Sequence, residues 1–101
     1  MKKIYFTIAG TNFYHGKDFF EKDMKVKLVK EPDNEYDKEA IKVELKPLGT
    51  IGYVANSVKT VIGECYSAGR LYDKIEDTAK AEICFVTPRG IIAKVKKPKK
   101  K

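Results

Sequence analysis

The chain has 101 residues, of which 43% are hydrophobic and 35% charged, with a formal net charge of +7. That length holds one core and leaves no room for a second domain. No apolar run approaches the roughly 20 residues a membrane-spanning helix needs. The charge excess sits at one end: "KVKKPKKK", residues 94–101, carries six of the 21 basic residues, and without it 15 basic residues face 14 acidic ones. The pI near 9.4 therefore belongs largely to a tail, the body of the domain being close to neutral. A lysine block interrupted by proline buries no apolar surface, so a barrel domain over 1–95 and a disordered, solvated tail over 96–101 are expected. The tail serves either as a salt-sensitive phosphate contact or as a solubility aid.

Met1-Lys2-Lys3 leads into a short strand-like run with no small-residue cleavage site, so no secretory signal is read and a cytoplasmic location is expected. Ile4, Phe6 and Ile8 alternate with Lys3, Tyr5 and Thr7, the period of a half-buried strand with Thr7 on the outer side. "TNFYHGKDFFEKD" mixes aromatics, polar residues and Gly16 and reads as a loop with some short structure. "MKVKLVKE" alternates again, turning Met24, Val26 and Leu28 inward, and ends at Pro32. "AIKVELK" and "IGYV", joined by "PLGT", make a hairpin over 40–54 with Ile41, Val43 and Leu45 on one face.

The period then changes. Val58, Val61, Ile62 and Cys65 fall at helical spacing, Asn56 or Ser57 offers an N-cap and Gly69 a C-cap. A helix is thus expected over 56–69, weakened by Gly63 in its interior. "AKAEICFVT" and "GIIAKV" flank the turn "PRG" as a closing hairpin. About six short strands and one helix predict a mainly β fold, a small OB-like, partly closed barrel.

Catalytic chemistry finds little purchase. His15 is the one histidine, and Cys65 and Cys84 stand far apart and outside any zinc spacing. They are expected as free thiols among apolar neighbours. Asp33, Glu35 and Asp37 alternate as in a calcium loop, but Lys38 occupies the position that loop reserves for glycine. Gly-rich phosphate loops and nucleophile elbows are absent. No catalytic residue, metal or cofactor is expected.

What remains is a pair of polar-aromatic segments. "NFYHG" presents Phe13 and Tyr14 directly after a strand, and the acidic loop from Glu31 to Glu39 presents Tyr36 between Asn34 and Asp37. Two readings stand. The aromatics pack at the rim of the core and Asn34 and Asp37 bind loop amides, or the aromatics form a platform on which bases of single-stranded nucleic acid stack.

"GTNFYHG", then "VKLVKEPDNEYDKEAIKV", then "IGYVANSV" together resemble the HIRAN domain over residues 4 to about 95. This module is known at the N-terminus of SWI/SNF-type fork-remodelling helicases and as stand-alone proteins. The resemblance implies an OB-like barrel that captures the 3′-hydroxyl end of single-stranded DNA. Phe13 and Tyr36 would stack on the terminal bases, Asp37 would accept a hydrogen bond from the hydroxyl, and Tyr14 and Asn34 would line the pocket. Tyr53 and Asn56, in the third motif, complete the candidate site. DNA-binding members carry an arginine where this chain has Asn12 and a lysine where it has Asn56. The expected partner is single-stranded DNA, together with a helicase, nuclease or other protein, for a monomer without membrane contact. The alternative is an adaptor that takes a peptide in the same groove or at a barrel edge.

Overall fold

A computed structural model describes residues 3–16, 18–57 and 59–96. Six strands, β1 (Tyr5–Ala9), β2 (Lys25–Lys30), β3 (Ile41–Leu45), β4 (Gly49–Val54), β5 (Thr78–Thr87) and β6 (Gly90–Val95), form one antiparallel sheet. Its order, β1-β4-β3-β2-β5-β6, closes fully because β6 returns to β1, with Tyr5 opposite Lys94 and Ile8 opposite Ile91. The alternation foreseen in the sequence is what fills the interior: Phe6, Leu28, Ile41, Val43, Ile51, Ile83, Ile91 and Ala93 are all fully buried.

So few strands close only if the sheet is strongly bent, and two register shifts supply the bend. One lies between Val43 and Glu44, where β3 meets β4. The other lies between Ile83 and Phe85 on β5, whose residues 78–82 pair with β2 and whose pairing with β6 runs on from Ala81 to Thr87. Gly52 allows β4 to approach β1, since a Cβ there would lie 2.8 Å from Ile8 Cγ2 and 3.0 Å from the Ala9 carbonyl oxygen.

The helix expected over 56–69 does not form. A single turn starts at Ser57, whose carbonyl accepts the Val61 N–H at 2.9 Å. It stops at Gly63, which takes a left-handed φ of 56°. The Ile62 N–H bonds instead to Thr7 Oγ1 at 3.1 Å, and Tyr66 bridges to β1 by donating to the Tyr5 carbonyl at 2.7 Å. The segment is a cover laid on the outer side of β1, which is why Thr7, expected to face outward, is 1% exposed. The helix α1 (Ala68–Tyr72) begins later, with Ser67 as its N-cap, and sends Ala68 and Leu71 into the core. Val58, placed on the expected helix face, lies outside the described residues.

Cys65 and Cys84 are free thiols, the first buried and the second half-buried. The tail expected over 96–101 falls, apart from Lys96, outside the described residues. Lys96 donates its N–H to the Lys80 carbonyl and its Nζ to Glu82 Oε1, both at 2.9 Å. Among the described residues no helix is long and apolar enough to cross a membrane.

Candidate nucleic-acid interface

The chain leaves β1 through Gly10 into a 3-10 turn, Thr11–Phe13, where the Thr11 carbonyl accepts the Tyr14 and Gly16 N–H groups. This tight turn puts two aromatics beside the β1–β4 seam. Phe13 is 86% exposed and packs into no core; Tyr14 is 43% exposed and leans on Tyr53 of β4, ring centroids 6.2 Å apart.

The acidic loop faces them. Asn34 shapes it: its Oδ1 accepts the Tyr36 N–H at 2.8 Å and the Asp37 N–H at 3.0 Å, the Asx-type turn that Asn favours. The turn leaves Tyr36 standing outward, 89% exposed. Asp37 Oδ1 accepts the Glu39 N–H at 2.9 Å, and Oδ2 accepts Asn56 Nδ2 at 2.9 Å. Asn56 is itself held, since its Oδ1 accepts the Gly69 N–H at 2.8 Å from the start of α1. Asn56 is thus not a helix cap but a strut between α1 and the acidic loop.

Glu31, at the end of β2, ties the two sides together. Its Oε1 accepts the Tyr53 hydroxyl at 2.7 Å and Asn34 Nδ2 at 3.1 Å, while Oε2 lies 3.7 Å from Lys42 Nζ. Burial pulls the Glu31 pKa up, but the bonds from Tyr53 and Asn34 and the charge of Lys42 outweigh it, and the net shift is downward. Burial, followed by the bond to Glu31, pushes the Tyr53 phenol well above its ordinary value. Tyr53 therefore stays a neutral donor with a fixed ring.

Tyr14, Asn34, Tyr36, Asp37, Tyr53 and Asn56 all line one open groove of about 610 Å³. Phe13 lies outside it, on the wall of an adjoining recess. Six of the seven residues singled out in the sequence are thus brought together and the seventh stands next door. Asn34 and Asp37 do accept loop amides, as the first reading has it, whereas Tyr36 and Phe13 stand exposed and do not pack at the rim of the core. Glu31 was missed as a participant, although its signal was present. Strand alternation and the hairpin register put Glu31, Lys42 and Tyr53 on one outer face.

The groove has an acid and an exposed aromatic and, among its described lining residues, no cation. The HIRAN domain model matches residues 1–83. The chain belongs to the HIRAN domain family. A crystal structure of the HIRAN domain of human HLTF superposes with a TM-score of 0.60 at 19% identity, covering 92% of this chain and 74% of that one. The likeness shows that the HIRAN barrel is shared. None of the curated proteins matches the sequence significantly.

Proposed function

We propose that this HIRAN domain is a non-catalytic module that receives the free 3′-hydroxyl end of single-stranded DNA. The observation that carries the reading is the pairing, in one groove, of the outward-standing Tyr36 ring with the anchored carboxylate of Asp37. An exposed ring offers a base a stacking surface, a contact worth roughly 1–3 kcal/mol. A carboxylate attracts a hydroxyl donor and repels a phosphate. Each Asp37 oxygen already accepts one bond, but a carboxylate has about four acceptor sites, so a hydroxyl can still be taken. An acid in this position selects a strand that ends over one that continues.

The adaptor reading is narrowed by closure of the barrel, which offers no unpaired edge among the described strands for a peptide to join. It is left with the groove alone. Fluorescence anisotropy with one oligonucleotide, ending in a 3′-hydroxyl or a 3′-phosphate, tests the proposal. The hydroxyl end is expected to bind more tightly. Equal affinity for the two ends would refute end recognition, and binding to neither would leave the groove to a peptide.

A further inference from the structure

Beside the groove lies a second recess of about 360 Å³, and the two share Ala9, Gly10 and Thr60 in their walls. Their charges are opposite in kind. The groove holds Asp37 and, among the described lining residues, no cation; the recess holds Lys59 and Arg89 and, among the described lining residues, no acid. Phe13 lies on the wall of the recess, exposed.

Both cations are mounted on pinned turns. Lys59 follows Ser57, whose Oγ accepts the Lys59 N–H at 3.1 Å. Arg89 sits in the β5–β6 turn, closed by Thr87 Oγ1, which accepts the Gly90 N–H at 3.1 Å and donates to the Gly90 carbonyl at 2.7 Å. Among the described residues neither side chain enters an ion pair. Two unneutralised cations on fixed backbone, with an aromatic face beside them, suit a phosphodiester chain with its bases.

We infer that a strand whose hydroxyl end occupies the groove runs 5′-ward past Phe13 into this recess, where Lys59 and Arg89 take its phosphates. The inference rests on the end-binding reading above. A polymer with a neutral hydroxyl at one end and anionic phosphates along its length matches an acidic groove that opens into a basic one. The reverse placement, with the hydroxyl end in the recess and the chain in the groove, would put phosphates against Asp37.

The test uses the full chain and a ten-nucleotide oligothymidylate with a free 3′-hydroxyl. The slope of log K against log salt is measured for the wild type, for Lys59→Gln with Arg89→Gln, and for Lys22→Gln with Lys80→Gln. The last pair removes the same charge from exposed positions outside both cavities. Loss of two phosphate contacts on a single strand is expected to flatten the slope by about 1.4 in the first variant, and the control is expected to stay near the wild type. Free thymidine, which carries no phosphate, is expected to bind the wild type and the Lys59/Arg89 variant equally in an NMR titration. A hydroxyl-end preference in the wild type with no change of slope, or the same change in both variants, would overturn the recess as a phosphate site and leave end recognition standing. A wild type without end preference would overturn both.

Discussion

Asn56 holds Asp37 from across the groove, donating Nδ2 to Oδ2 at 2.9 Å. The Gly69 N–H, bonded to Asn56 Oδ1, fixes which end of that amide faces the acid. Asp37→Asn would thus set a donor against a donor. It is expected to cost about 1 kcal/mol, read as a melting midpoint lower by about 4–8 °C in a domain of this size. Adding Asn56→Asp restores a donor–acceptor pair and keeps an acceptor for Gly69, so the melt of the double variant is expected to recover. Recovered stability with a lost preference for the hydroxyl end would identify the position of the carboxylate as what the ligand senses. A double variant as unstable as the single one would show that the pair is not coupled.

Tyr36 and Phe13 make a cleaner contrast. Both rings are more than four-fifths exposed, at 89% and 86%. Tyr36→Ala and Phe13→Ala are each expected to change stability by no more than about 0.5 kcal/mol. Each is expected to weaken binding of a single strand by roughly the 1–3 kcal/mol of one stacking contact. A large drop in the melt of either variant would assign its ring to packing instead.

Stability should respond to pH at both extremes through the Glu31–Tyr53 pair, whose shifts come from burial and from the bonds around it. The Glu31 pKa is lowered in the fold, so its contribution is present above the ordinary carboxylate value of 4.5 and fades as pH falls through the shifted one. The Tyr53 pKa is raised, so its contribution is present below the ordinary value of 10.0 and fades as pH climbs toward the shifted one. Glu31→Gln is expected to flatten the acid limb of a plot of melting midpoint against pH, and Tyr53→Phe the alkaline limb. Limbs unchanged by both substitutions would place the titrating groups elsewhere.

Gly52→Ala probes the seam under the groove. The added methyl would press on Ile8 Cγ2 and the Ala9 carbonyl, and backbone cannot step aside as a side chain can. A loss of about 1–3 kcal/mol is expected, with weaker binding because Tyr53, the next residue, moves with the strand. An unperturbed melt would mean that β1 and β4 can separate freely.

Period-2 alternation placed the strands within a residue or two because each has one buried face, as Ile41 and Val43 of β3 show. The same logic failed at Thr7, whose outer face is buried by a distant segment that no local pattern announces. Ile62 lies against Thr7 and Gly90 of the barrel and Cys65 is buried, but as parts of a strap. Gly63 and the bond from Ile62 to Thr7 outweigh a marginal helix. In the candidate site, Tyr36 and Asp37 were legible because a turn built around Asn34 sets both by local geometry, the ring outward and the carboxylate tied down. The neighbouring recess was not legible, since Arg89 and Phe13 come to line it together only after strands from opposite ends of the chain have paired.

That last circumstance has a kinetic face. The ring shuts when Tyr5 finds Lys94, which ties together nearly the whole length of the chain. Contacts so distant are formed at a high entropic cost and slow the folding of small β proteins. Tyr14 and Tyr53 sit on either side of the seam that β1 makes with β4. A hairpin formed early from β3 and β4 carries Tyr53 without its neighbour, and a chain cut short before the β5–β6 turn lacks Arg89 as well. Half-made chains therefore hold the walls of the groove and the recess apart, and the two cavities are complete only with the last strand.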